Sequence, residues 1–324
     1  MTTAGGISEI EEEFLHAAVG MLGKGDGTAA LESLGWWDLV VDLDDRDLRL
    51  AAFTYFRAQG RCLATSPALC TLLAQPFTDR AAFAPGSVVA TIPRLSRRRG
   101  PLQLLVGDPG DRRLLVDRPG SGAVLLDRDE ITLTPIDIPG RLDLYEVTGN
   151  WSRTAPAVPE HDAIPARDRS TRLGRVAVAL EMLGAAEGAL ALATTYSADR
   201  VQFGQPIGGF QAVRHLLAWA YVESAAISSV ARQAVMLDRD APVPLDEYAK
   251  AIAGRNGRRI CERALQVLGG IGFTAEHDHH HHHGRVLAFD SVLGTSAELT
   301  ANLGASFRTG AASSPLAAAV LAGS

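Results

Sequence analysis

Apolar residues recur at helical spacing from the start of the chain. Ile7, Ile10, Phe14, Ala17, Ala18 and Met21 share one face, and Leu48, Ala51, Ala52, Tyr55 and Phe56 share another after the polar Asp44 and Asp45. This pattern predicts a small helical domain over residues 1–84. From residue 85 the period changes to brief apolar runs, Leu102 to Val106, Leu114 to Val116, Val124 to Leu126, Ile131 to Leu133 and Leu142 to Val147, separated by Gly, Pro and Asp. Such runs predict a compact β domain over residues 85–153. Residues 154–166, with Pro156, Pro159 and Pro165, read as a linker.

Helical periodicity then returns. Leu173, Val176, Ala177, Leu180, Leu183 and Leu190 hold one face of a first long helix, and Phe210, Val213, Leu217, Ala220, Ala225 and Val230 one face of a second. A third runs from Tyr248 to Leu268 and stops at Gly269-Gly270, and a fourth from Arg285 to Leu303. Four such segments over residues 167–305 predict an antiparallel four-helix bundle, with residues 306–324 left as a tail. The fold class is therefore α+β: helices, a small central β domain, and a helical bundle.

Composition narrows the function classes. Lys plus Arg number 31 against 37 Asp plus Glu, a net charge of −6 with no dominant basic block, which excludes a nucleic-acid binder from the expectation. Three cysteines, Cys62, Cys70 and Cys261, suit a reducing cytoplasm better than a disulfide framework. No uninterrupted apolar run reaches the ~18 residues of a membrane span and no signal-peptide pattern follows Met1, so the expected location is cytoplasmic, away from membranes.

Two sequence blocks carry candidate chemistry: Asp199-Arg200-Val201-Gln202-Phe203-Gly204-Gln205-Pro206-Ile207-Gly208-Gly209-Phe210-Gln211, and Ala264-Leu265-Gln266-Val267-Leu268-Gly269-Gly270-Ile271-Gly272-Phe273. Arg200 offers a planar fork suited to a pyrophosphate, Gln202 and Gln211 offer amide donors, and Phe203 offers an apolar ring face. Gln266 with Gly269 and Gly270 lets backbone approach a phosphate or ribose where a Cβ would clash. In this order and at this separation the blocks resemble the C-terminal half of the acyl-CoA dehydrogenase family. The resemblance implies that fold, with FAD as cofactor and Arg200, Gln202, Phe203, Gln211, Gln266, Gly269 and Gly270 as its contacts, reaching the FAD of a neighbouring subunit. It also implies an oxidoreductase acting on the Cα–Cβ bond of an acyl-CoA.

The chain departs from the family's pattern at the catalytic base. One branch of the family carries a Glu directly before an Arg that opens the first bundle helix, and here that pair is Gly174-Arg175. The other carries it directly before Gly-Thr-Ser, and here Leu293 precedes Gly294-Thr295-Ser296. No catalytic residue is therefore expected in this chain. The Thr-Glu-Pro and Trp-Ile-Thr segments that hold the flavin ring are also absent from the β region.

Adenosine-side contacts without base or ring-holding strands resemble the short, degenerate subunit of heteromeric acyl-CoA dehydrogenases of actinobacterial steroid catabolism. The implied assembly is α2β2, with a full-length catalytic partner that binds most of the acyl-CoA and an electron-transfer flavoprotein as redox partner. Two alternatives stand beside it: a self-sufficient homo-oligomeric flavoenzyme whose base is relocated to Glu181, Asp290 or Glu298, and a scaffold subunit that touches no flavin. The run His279 to His283 invites a metal reading, yet the family has a Glu-His-Asp-x-His segment there, so a polar helix start and no metal is the expectation. Arg94 and Arg97 to Arg99 offer charge to a CoA phosphate or simply form a solvated loop.

Overall fold

The computed structural model describes residues 3–23, 27–81, 83–84, 86–96, 100–237 and 244–309. Five helices come first: α1 (Thr3–Leu22), α2 (Gly27–Ser33), α3 (Trp36–Val41), α4 (Arg46–Cys62) and α5 (Ala68–Ala81). Asp45 caps α4, its carboxylate accepting from the backbone N–H of Asp47 and Leu48 at 2.9 Å each. Trp36, Tyr55 and Phe56 form a buried aromatic cluster at the centre of this layer, with ring centroids 5.3 to 6.1 Å apart.

Two small sheets follow. β1 (Val88–Ala90), β4 (Arg113–Arg118) and β5 (Gly122–Leu126) form one in the order β1-β4-β5. β2 (Ile92–Ser96), β3 (Gly100–Val106), β6 (Ile131–Pro135) and β7 (Leu144–Gly149) form the other in the order β2-β3-β7-β6. All pairings in these two sheets are antiparallel except β1 with β4. Each apolar run predicted as a strand lies on one, and the structure adds β1 and β2. The residues 97–99 of the arginine group lie outside the described residues.

Helices resume earlier than the proline count suggests. α6 spans Glu160–Asp199, so the second half of the expected 154–166 linker is helix and Pro165 sits inside it. Its first turn is anchored from outside: Glu160 accepts from the backbone N–H of Gly120 and Gly122 at 2.9 and 2.7 Å and pairs with Arg167, which also pairs with Asp117. These bonds hold the turn despite the backbone bond Pro165 forfeits. The preceding residues are tied to β5, Ala123 and Val158 exchanging both backbone bonds at 2.9 and 3.0 Å.

α7 (Gln211–Leu237) and α8 (Leu245–Leu268) follow α6, then α9 (His279–Asp290) and α10 (Ser296–Arg308). The expected fourth helix over 285–303 is therefore two helices. Leu293 and Gly294 both take positive φ, 58° and 98°, which ends the helical path, and Thr295 with Glu298 caps α10 afresh. The residues 310–324 of the expected tail lie outside the described residues.

α6 is the axis of the fold, packing against α4, α5, α7, α8 and α9. By length and composition alone it would cross a bilayer, contrary to the expectation from uninterrupted runs, but 78% of its apolar window is buried inside the protein, as befits a core helix. α4 crosses it at backbone contact, where a Cβ on Gly60 would collide with the Glu181 carbonyl and one on Gly184 with the Arg57 carbonyl.

At this crossing Arg285 of α9 is fully buried. It donates to Glu181 Oε1 at 3.1 Å, to the carbonyls of Ala64 and Arg141 at 2.6 Å each and of Gly140 at 3.0 Å, and to Thr65 Oγ1 at 3.1 Å. Gln59 donates to the second Glu181 oxygen at 3.1 Å, and Ser66 donates to Gln59 at 2.5 Å. Removing one partner of a buried pair leaves an uncompensated charge, at a cost of about 3–5 kcal/mol. Arg285→Met is therefore expected to lose that much stability in urea unfolding, and Arg285→Met with Glu181→Leu to recover part of it. A loss in the double variant equal to the sum of those in Arg285→Met and Glu181→Leu would show that the pair is not coupled.

Candidate functional site

Arg200 follows the last turn of α6, and the chain then makes a short hairpin of β8 (Val201–Gln202) and β9 (Gln205–Pro206). Its two central residues, Phe203 and Gly204, both take positive φ, 51° and 80°, as a type I′ turn requires. A bulky residue in the left-handed region is strained, and such strain clusters at functional sites. Phe203 is 94% exposed, its ring meeting Phe210 edge-on at 6.2 Å. The loop closes where Ile207 N–H donates to the Arg200 carbonyl at 2.8 Å. The side chains of Arg200 and Gln211 have no hydrogen-bond or ion-pair partner among the described residues, and the Gln202 amide donates only to Val201 beside it.

The second block ends α8. Gln266 is exposed on the last turn, and Gly269 takes φ 64° with ψ −139°, open to glycine alone. Nothing lies within 4 Å of where a Cβ would stand on Gly269 or Gly270, so their backbone is open to an approaching group. Ile271 and Phe273 beyond them are exposed, Phe273 at 78%, a feature the sequence reading passed over although apolar residues flanking a glycine pair outside any helix period signal it. Residues 238–244 are too few to bridge parallel helices of this length, so α7 and α8 run antiparallel. The start of α7 and the end of α8 therefore share one end of the bundle.

The two positions where the family's branches carry the base converge. A Cβ on Gly174 would stand 2.6 Å from Leu293 Cδ1 and 2.6 Å from Leu73 Cδ2. Aliphatic carbon fills the space between them. The loop bearing Leu293 is gripped by two cations, Arg175 of the Gly174-Arg175 pair and Lys250, which the sequence did not bring to notice: Arg175 donates to the Leu293 carbonyl at 3.1 Å, and Lys250 donates to the carbonyls of Asp290 and Gly294 at 3.1 and 3.0 Å. Arg175 also pairs with Asp246 and Glu247 at 3.0 Å each. Burial pulls the Lys250 ammonium down to about 8, against the opposing charge of Asp290.

The three carboxylates weighed as relocated bases all have other partners. Burial raises the Glu181 carboxyl, opposed by Arg285 and Gln59, and its side chain is sealed from solvent. Asp290 accepts from Ser296 N–H at 3.0 Å and Ser296 Oγ–H at 3.2 Å, fixing the start of α10. Glu298 accepts from Thr295 N–H at 2.9 Å in the cap of the same helix.

The histidine run forms the first turn of α9. His279 Nε2 bonds to the Cys261 carbonyl at 2.8 Å, and His282 packs where a Cβ on Gly188 would collide with its ring. Among the described residues no group of three or more His, Cys, Asp or Glu is placed to hold a metal ion. Burial, then the charge of Arg285, lowers His282 to about 4. The unfolded chain therefore takes up this proton first as pH falls below 6.5. Stability is expected to drop by about 3 kcal/mol between pH 6.5 and 4 on account of His282. Chemical unfolding of wild type and His282→Gln across this range checks it, since the variant's pH slope must be shallower.

The comparisons with known proteins fit this geometry. Residues 167–307 match the family described as acyl-CoA dehydrogenase, C-terminal domain. The chain is 39% identical over 101 residues to acyl-CoA dehydrogenase IpdE2 of Mycolicibacterium smegmatis, covering 31% of this chain and 32% of that protein. It is 38% identical over 106 residues to the short-chain specific acyl-CoA dehydrogenase of Megasphaera elsdenii, covering 32% and 28%. The matched stretch thus spans about a third of these curated relatives. Among solved structures, the Tcur3481-Tcur3483 steroid ACAD aligns over 95% of this chain and all of that one, with a TM-score of 0.75 at 22% identity. The ChsE4-ChsE5 complex of Mycobacterium tuberculosis aligns over 93% and 97%, with a TM-score of 0.69 at 17% identity. Residues 167–307 thus match the C-terminal domain of the acyl-CoA dehydrogenases, a family of FAD-dependent oxidoreductases, and the chain shares the fold of such proteins along its length.

Proposed function

We propose that this chain is a subunit of a heteromeric FAD-dependent acyl-CoA dehydrogenase that acts only with a full-length catalytic partner. The observation that carries the reading is the contact of Gly174 with Leu293 and Leu73, which leaves aliphatic carbon where either branch of the family has its base. General-base catalysis is worth roughly 10² to 10⁴ in rate, and Glu181, Asp290 and Glu298 are each already engaged. In this reading the partner removes the Cα proton of the acyl-CoA and holds the flavin ring. FAD, when bound, accepts the hydride from Cβ.

This chain's part is to hold the other end of the cofactor. Arg200 would pair with the pyrophosphate, Gln202, Gln211 and Gln266 would donate from their amides, Phe203 would cover an apolar face, and Gly269 with Gly270 would admit the sugar or phosphate to the backbone. The exposure of these side chains, with those of Arg200 and Gln211 unpartnered among the described residues, fits a ligand presented by another chain. The names of similar proteins, a steroid ACAD and the ChsE4-ChsE5 complex, support a steroid-type acyl-CoA as substrate and an unlike chain as partner. An electron-transfer flavoprotein reoxidises the complex in this reading, which works in the cytoplasm.

Purified alone, the chain is expected to bind flavin weakly and to show no acyl-CoA oxidation. Stoichiometric flavin with turnover from the chain alone would sink the reading. In the assembled complex Arg200→Ala is expected to weaken FAD about 10- to 100-fold, the worth of a charged hydrogen bond, read from flavin absorbance after gel filtration. Unchanged FAD content would favour a scaffold. Asp290→Asn and Glu298→Gln are expected to leave turnover of the complex intact, and its loss in either would point to a base in this chain.

A further inference from the structure

Five consecutive histidines, His279 to His283, open α9, and no acidic residue stands in that first turn. A helix N-terminus disfavours cations, so an imidazole placed there is biased to stay neutral. The surroundings have the same sign. Arg285, one turn further along α9, acts on His281 and His282, Arg141 acts on His281 from the loop between β6 and β7, and Arg258 acts on His283 from α8. The carboxylates that face the turn are taken: Asp278 pairs with Arg141 at 2.6 Å, Glu262 of α8 with Arg258 at 3.2 Å, and Glu181 of α6 with Arg285 at 3.1 Å. Asp143 and, from α4, Cys62 act on Arg285. His281 Nδ1, His282 Nδ1 and His283 Nε2 are buried with no hydrogen-bond partner among the described residues. A proton placed on any of them makes a buried N–H donor with nothing to meet, beside cations.

This turn holds down the segment in front of it. Residues 269–278 lead from the end of α8, through Gly269 and Gly270, to the start of α9. Their own bonds are mostly local: Thr274 N–H and Oγ–H donate to the Ile271 carbonyl at 3.1 and 2.8 Å, His277 N–H to the Thr274 carbonyl at 3.3 Å, and His279 N–H to His277 Nδ1 at 3.2 Å. Gly272 is buried against Leu265 and Leu268 of α8. Three ties reach further. His279 Nε2 bonds to the Cys261 carbonyl of α8 at 2.8 Å, His282 bonds to the Ala185 backbone of α6 beside Gly188, and Asp278 pairs with Arg141. The Asp278–Arg141 pair is half-exposed on both sides and contributes little. Two neutral imidazoles therefore supply most of the anchoring, while Arg285 behind them is fixed by the carbonyls of Ala64, Gly140 and Arg141.

We propose that the histidine turn is an acid-released latch on the segment that carries Gly269 and Gly270: protonation of its imidazoles frees residues 270–282 while the packing around Arg285 stays in place. The release is a property of this chain alone, and only its bearing on FAD rests on the reading above. Imidazoles in the released state titrate near 6.5, whereas burial and then Arg285 hold His282 down at about 4 in the latched one, so the released state takes up the proton first as pH falls. His282 by itself raises the released fraction about 20-fold between pH 7 and pH 5. The test is hydrogen–deuterium exchange of the full chain at both pH values, read by mass spectrometry and corrected for the intrinsic rate. Protection of residues 270–282 is expected to fall at least tenfold while that of α6 and of residues 286–290 is kept. In His282→Gln, whose amide still donates to Ala185 but takes up no proton, the fall is several-fold smaller. His279→Gln gives the same result should His282→Gln fail to fold. Protection that does not change with pH, a fall of equal size over the whole chain, or an unchanged fall in the folded variants overturns the proposal. FAD content of the assembled complex at pH 5 separates the two readings: FAD retained on a released segment would overturn the contacts assigned to Gly269 and Gly270 and leave the latch standing.

Discussion

Arg285 is the constraint on which the rest of the structure depends. One guanidinium with no solvent contact bonds to the Gln59 carbonyl near the end of α4, the turn after it, the residues between β6 and β7, and the carboxylate at the middle of α6. A cation placed there must find an acceptor for every N–H, because each unmet donor in a dry site costs more than a met one returns. The helical layer, the β region and the bundle are thereby fixed to one another at a single point. The close α4–α6 crossing through Gly60 and Gly184 lies beside that point, and Glu181 serves both.

Around this rigid centre the chain divides into two kinds of surface. Where Gly174 meets Leu293 the space is closed: Lys250 and Arg175 hold the carbonyls of Asp290, Leu293 and Gly294, and Leu293 and Leu73 fill the place a side chain at position 174 would take. The end of the bundle is open, with Phe203 and Phe273 in solvent and the side chains of Arg200 and Gln211 without partners among the described residues. A protein that worked alone would gain nothing from large exposed aromatics beside unpartnered polar groups. Their joint exposure supports a site that another chain completes.

Much of this was legible in the residues. The strands follow the apolar runs because successive residues on them are buried on both faces, and the helices follow the 3.6-residue period because each buries one face. The prolines of residues 154–166 misled, since Pro165 is tolerated only through Glu160, Arg167 and Asp117, the last of which lies in a distant strand. The break after Asp290 was missed although Gly294 and the Thr295 to Glu298 capping box signal it; Lys250 and Arg175, from other helices, hold the left-handed turn there. Glu181 inside the apolar stretch Val176 to Ala186 did signal a buried charge, and a buried charge signals a partner. Nothing in the sequence says that the partner is Arg285.

By itself, then, the sequence determined most element types, the two ordered blocks around Arg200 and Gly269 and the absence of Glu at positions 174 and 293, because each is a property of neighbouring residues. Only the tertiary structure decided that Gly174 and Leu293 touch, that Glu181, Asp290 and Glu298 are already engaged, and that the histidine turn faces Arg141 and Arg258. These rest on contacts between residues far apart in the chain. Local pattern governs which surfaces must be buried, and packing alone governs what each one meets.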